Sequence, residues 1–217
     1  MAMIDLQEQE QLDALKAWWK DNSKWVITSL AIVVFAYAAL TYWKHYQGKQ
    51  AAEASTLYAE VLKQVASNDP KRINDSVAAL VAKYSSTAYA PRAQLLAVQA
   101  NIQAKDMALA KSQLEWVIAH ASESGLQDTA RLKLSSILLD EKDYAAAMKL
   151  LNATHAEAFV GLYADLKGDV LAAQGKTDEA RAAYKLAVEK MDSKSAYRNL
   201  IQLKLDGLGM DVQGGTK

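Results

Sequence analysis

Three histidines, His45, His120 and His155, are the side chains best suited to proton transfer near neutral pH or to metal ligation, and they stand far apart in a chain without cysteine. No two share the spacing that places a pair of metal ligands on one helix face. Asp165 and Asp169 do share a face, four residues apart, and on spacing alone form an acid and base pair. Their sequence neighbours give no sign of a perturbed pKa, so the pair is expected to be a solvated or peptide-facing surface. The sequence holds no nucleophile elbow, phosphate loop or paired-glycine fingerprint. Neither catalysis nor a metal or organic cofactor is therefore expected. Lys+Arg and Asp+Glu each number 25, leaving a formal net charge of zero. With no basic field to release counterions, nucleic acid is not an expected partner.

The stretch from Trp25 to Trp43 carries no charge, and Lys24 and Lys44 stand directly outside it. At ~1.5 Å rise per residue this run is roughly 28 Å long, enough for the ~30 Å hydrocarbon layer of a bilayer. Trp25 at one end and Tyr42, Trp43 and Tyr46 at the other suit the headgroup level. A cleaved signal is the competing reading, because Ala36, Tyr37 and Ala38 form a small-x-small site. The leader argues against it: residues 1–24 are long and include Asp5, Glu8, Glu10, Asp13 and Asp21. Lys16, Lys20 and Lys24 on the amino-terminal side outnumber Lys44 and Lys49 on the other, which favours a cytoplasmic amino terminus and an extracytoplasmic carboxy-terminal part. The expected organisation is a cytoplasmic amphipathic leader over 1–24, a transmembrane helix over 25–43, one domain over 44–206 and a flexible glycine-containing tail over 207–217. In the leader, Leu12, Leu15 and Trp19 fall at helical spacing, as an interfacial anchor requires.

Beyond the span the chain reads as all-helical, rich in alanine and nearly free of proline. A helix over 44–67 is expected to stop at Ser67 and Asn68. Asp69 and Pro70 then form a cap and first turn for a helix reaching about Tyr84. From there the sequence repeats. Lys105-Asp106-Met107-Ala108-Leu109-Ala110 is echoed by Lys142 to Ala147 and by Gly175 to Ala180. Each segment opens a helix with an acidic or hydroxyl cap, and each follows a helix over about 89–104, 126–140 or 157–174. Such periods mark stacked helix pairs, in which one pair buries its apolar face only when a neighbour covers it.

These residues resemble the tetratricopeptide repeat. In the last unit Gly168, Gly175, Ala180, Tyr184 and Ala187 fall where that family places its small packing residues, its turn and its aromatic knob; Ala147 and Ala110 mark the earlier units. The resemblance implies that Gly168 and Ala180 let paired helices touch and that Tyr184 fills the gap to the next pair. The whole chain is similar to the YfgM-type ancillary subunit family of the bacterial Sec translocon. The similarity lies in the order of parts: an acidic leader ending in Trp18-Trp19-Lys20, one anchor ending in Tyr42-Trp43, a helix carrying Ser55, Leu57 and Tyr58, and then the repeats. It implies an inner-membrane protein whose domain is periplasmic, lies beside SecYEG, meets emerging secreted or outer-membrane proteins and works with periplasmic chaperones. A structural scaffold for another envelope complex is the alternative.

With the repeat register comes an expected binding surface. The first helix of each pair lines a concave face through Arg92, Leu95, Gln99, Ile102 and Gln103, then Thr129, Leu132, Ser136, Leu139 and Asp140, then Leu162, Asp165 and Asp169. Only Arg92 could clamp a terminal carboxylate, so apolar or extended segments suit this groove better. The leucines and Ile102 read equally well as core, or as covered by a terminal helix over about 195–205.

Overall fold

The computed structural model describes the backbone of residues 2–210 and the side chains of 10–209. All elements among these residues are helical. They divide into two compact units, Met1–Gln50 and Ala51–Lys217.

The first unit lies within α1 (Ala2–Ala66), which runs unbroken through the apolar stretch. Its Thr28 and Thr41 hydroxyls bond back to the carbonyls of Lys24 (2.7 Å) and Tyr37 (2.9 Å), so neither needs water. Trp25, Ile27, Leu30, Ile32, Val33, Val34 and Phe35 are all exposed. An apolar helix with no side buried has lipid as its natural solvent.

In the second unit α1 ends as expected. Asn68 takes a left-handed φ of 54°. Asp69 caps α2 (Pro70–Tyr84) by accepting from the backbone N–H groups of Lys71 (3.0 Å) and Arg72 (3.3 Å). Three helix pairs follow: α3 (Tyr89–Gln103) with α4 (Met107–His120), α5 (Ser124–Asp140) with α6 (Tyr144–Leu151), and α7 (Val160–Ala173) with α8 (Thr177–Lys190). A short 3-10 turn, Glu157–Phe159, leads into α7. From α2 onward each helix packs on the next in sequence, and α3, α5 and α7 also touch one another in a row, forming the wall of first helices that a solenoid requires. Val61 at the end of α1 joins Ile73, Val77, Leu80, Ala93 and Ala97 in the first buried cluster.

The pairs are closed by one turn used three times. Lys105, Lys142 and Gly175 hold φ values of 61°, 64° and 75°. At each, the residue after the left-handed position donates its N–H back to the last turn: Asp106 to Asn101, Asp143 to Leu138, Lys176 to Leu171, at 2.8–2.9 Å. This is a Schellman closure. The donor residue is also the cap of the next helix. Asp106 accepts from the Leu109 N–H and Asp143 from the Ala146 N–H, both at 3.1 Å. The third turn departs from the expected acidic or hydroxyl cap. Lys176 occupies its cap and makes no side-chain bond there, and Thr177 is already helical.

Two details of the carboxy-terminal end differ from the sequence reading. A methyl group on Gly168 would overlap the ring of Tyr184, so the side chain pressed closest to this glycine is Tyr184 rather than Ala180. The terminal helix α9 spans Ala196–Met210 and runs through Gly207, with Ile201 fully buried and Leu205 and Leu208 packed beside it. Of the expected flexible tail, 211–217 lies outside the described residues.

The turn geometry yields a stability test on residues 51–217 produced without the span. Gly175→Ala places a side chain in the left-handed region and is expected to cost about 1–2 kcal/mol. Lys142→Gly relieves such a side chain and is expected to be neutral or to stabilise by up to about 1 kcal/mol. Urea denaturation reads both, and a Gly175→Ala domain as stable as its parent would contradict the turn assignment.

Candidate functional site

Three buried polar clusters set the helices that carry the expected groove. The first joins α2, α3 and α4. Asn101 donates to Gln113 Oε1 (2.8 Å) and to Asn74 Oδ1 (3.1 Å), while Asn74 donates to Asn101 Oδ1 (2.8 Å) and Gln113 to Asn74 Oδ1 (2.9 Å). A closed ring of amides satisfies its members only in one register, so it fixes α2 against the first repeat.

The second cluster centres on Asp128, which is fully buried in α5. Its carboxylate accepts from Arg131 Nη1 (2.9 Å), the Tyr163 hydroxyl (3.0 Å) and the Ala156 N–H (3.0 Å). The loop between α6 and α7 is thereby tied to α5. Burial, with the bond to Asp128, pushes the Tyr163 phenol up to about 12. His155 stacks on that ring at 4.0 Å between centroids. His120 stacks on Trp116, and His45 is exposed on α1. Among the described residues no group of histidine and acidic side chains could hold a metal ion.

The third cluster corrects the expectation for Asp165 and Asp169. Asp165 is 2% exposed, not solvated. It accepts from the Tyr197 hydroxyl (2.5 Å) and from Lys204 Nζ (2.9 Å), both on α9. Asp169 accepts from Lys204 (2.8 Å) and from the Tyr184 hydroxyl (2.7 Å). The partners stand 15–39 residues away in sequence, which is why spacing along α7 did not reveal them. Burial raises the phenols of Tyr184 and Tyr197, and their bonds to Asp169 and Asp165 raise them further. For Lys204 burial acts downward, but its bonds to Asp169 and Asp165 outweigh it and the net shift is upward. A lysine between two carboxylates, flanked by two phenols, is a structural joint and leaves neither aspartate free in this conformation.

The remaining groove positions divide by exposure. Gln99, Gln103, Ser136 and Asp140 are exposed. Leu95 and Ile102 are half-buried against the Val98–Leu114–Leu134 cluster, and Leu132 and Leu139 against the cluster of Leu151, Tyr163 and Val170. Thr129 bonds back to the Gly125 carbonyl, Arg92 is held by Glu123 (2.8 Å) and the Ala88 carbonyl, and Leu162 is half-buried. Ile102, Ser136 and Asp140 come together on a cleft of about 290 Å³. Met107, Lys133, Ile137 and Glu141 complete its lining, with Glu141 held by Lys111 at 2.7 Å. Lys133 points to this cleft from a position the repeat register did not single out; as the residue one turn before Ile137 on α5, it was legible only with the neighbouring pair in place.

The third cluster dictates a pH response. Tyr184, Tyr197 and Lys204 all have folded-state values above the ordinary ~10 of tyrosine and ~10.4 of lysine. Their protonated forms are favoured by folding, so the stability they contribute is fully present below about pH 10 and is lost as the pH rises through the raised values. Denaturation midpoints of the domain are expected to be flat from about pH 7 to 9 and to fall above about 10, with a shallower fall in Tyr197→Phe. An identical alkaline fall in that variant would contradict the joint.

Residues 16–210 match the model of a family described as a tetratricopeptide repeat-like domain. The chain is similar to the ancillary SecYEG translocon subunit of Neisseria gonorrhoeae, at 33% identity over 204 residues, covering 94% of this chain and 98% of the relative. It is also similar to the subunit of the same name in Escherichia coli, at 27% identity with 94% and 97% covered, and in Aggregatibacter actinomycetemcomitans, at 26% with 94% and 98% covered. Similarity that extends through leader, apolar helix and repeats alike identifies the chain as a member of the ancillary SecYEG translocon subunit family.

Proposed function

We propose that this protein is a single-span anchor and adaptor at the Sec translocon of a bacterial inner membrane. Its amino terminus is cytoplasmic, its helical-pair domain is periplasmic, and it hands emerging proteins to periplasmic chaperones. The observation that carries the translocon assignment is the end-to-end similarity to subunits bearing that name. Within the domain, the wall of α3 and α5 supports a client surface: half-buried Leu95, Ile102, Leu132 and Leu139 beside exposed Gln99, Ser136 and Asp140, with an open cleft between. Half-buried aliphatic side chains serve the fold with one side and offer the other to a partner, gaining ~25 cal/mol per Å² covered. Modest covered area suits clients that must be released.

Ser136→Trp in the full-length protein tests this surface, because position 136 is exposed and a bulky ring there fills the cleft without entering the core. Photocrosslinking from Asp140 to a nascent secreted protein is expected to drop several-fold while thermal unfolding changes by less than about 1 kcal/mol, as at other surface positions. Undiminished crosslinking in a folded variant would move the client site off this wall. Protease added to spheroplasts is expected to digest the domain, and protection would reverse the orientation.

A further inference from the structure

The last helix pair carries a groove that is already filled. Over α7 and α8 lies α9, which presents Tyr197, Ile201 and Lys204 at spacings of four and three residues, the pattern by which an amphipathic helix lies in a groove. Ile201 is fully buried in the cluster of Ala164, Leu171, Tyr184 and Ala187. The Tyr197 hydroxyl donates to Asp165 at 2.5 Å, and Lys204 donates to Asp165 and Asp169 at 2.9 and 2.8 Å. This occupant is a poor match in two respects. It brings one cation to two carboxylates, with the neutral Tyr197 phenol standing where a second cation would face Asp165. It also contains Gly207 and Gly209, and each glycine weakens a helix several-fold relative to alanine. Packing does not ask for them: a methyl group at either would meet nothing within 4 Å, and neither holds a left-handed φ.

We propose that α9 is a displaceable cover on a helix-binding groove, and that the groove's other occupant is an amphipathic helix of another protein, carrying two cations seven residues apart with an aliphatic residue four positions after the first. Bare release of α9 is disfavoured, because it leaves Asp165 and Asp169 without their cation in a largely apolar site. Exchange for another cationic helix restores both the charge and the apolar cover, so the groove opens by replacement. A second copy's α9 fits no better than the resident one and lacks the high effective concentration that the short connection 191–195 gives it. A foreign helix with the second cation and no glycine does better on both counts. The site lies on α7 and α8 and is independent of the client surface on α3 and α5.

The test uses the full-length protein in mild detergent with two labelled probe peptides: residues 195–210 as they stand, and the same segment with Tyr197→Arg and Gly207→Ala. Fluorescence anisotropy is expected to show the substituted peptide binding about tenfold more tightly than the unmodified one, and more weakly as salt is added. Hydrogen exchange in α9 of the protein is expected to accelerate as that peptide binds, while α7 stays protected. Lys204→Glu in the protein sets a third carboxylate beside the two and should strengthen peptide binding. Gly207→Ala in the protein firms the cover without touching the groove and should weaken peptide binding about threefold, which keeps the test decisive even where Lys204→Glu unfolds the pair. No binding of the substituted peptide, binding that leaves α9 exchange unchanged, or equal binding to the parent and Gly207→Ala proteins each overturns the proposal. Co-purification of two differently tagged copies that Lys204→Glu abolishes would also overturn it, by making the occupant a second copy.

Discussion

A stacked pair of helices always has a face with nothing against it until the next pair arrives, and residues 51–210 are built around that constraint. Each pair is covered by its neighbours, and alanines recur where helices meet: Ala93, Ala97, Ala110, Ala130, Ala147, Ala164, Ala180 and Ala187 are all buried, interleaved with larger residues such as Leu114, Leu134, Leu151 and Tyr163. Small side chains bring backbones close but bury little area each, and the stability of such an array rests on nearest-neighbour contact over its whole length. The two ends need other devices. At the amino-terminal end Val61 and the amide ring of Asn74, Asn101 and Gln113 fix α1 and α2 on the first repeat. At the other, Ile201 covers Tyr184 and Ala187 while Lys204 neutralises the carboxylates that α7 would otherwise leave beneath it.

That arrangement separates what the sequence made legible from what it did not. The apolar stretch and the Asp69–Pro70 start each depend on residues within a few positions of one another and were readable from composition and spacing, and the Gly175 turn was readable through the repeat resemblance. Lys105 and Lys142 were not readable as left-handed residues. Nothing in lysine favours that conformation, and it is imposed by the same backbone closure that Gly175 adopts freely. Asp165 was misread for a different reason. A carboxylate on a helix looks solvated until the chain 32–39 residues later returns with Tyr197 and Lys204. At Gly168 the side chain nearest the backbone is the Tyr184 ring, which the repeat pattern does not reveal because it records small positions and not the direction of the neighbouring aromatic.

The same constraint explains where a binding surface is available. Along α7 the wall of first helices is occupied by α9, whereas along α3 and α5 it carries exposed Gln99, Ser136 and Asp140 around an open cleft. The uncovered part of this wall therefore lies along α3 and α5.

Hydrogen exchange on residues 51–217, comparing the parent with Lys204→Met, tests the end-cap account most directly. Removing the one cation between two carboxylates should release α9 first and then α7 and α8, with protection of α3 and α4 unchanged, as nearest-neighbour stacking requires. Unchanged protection of α9, or an equal loss across all helices, would contradict it.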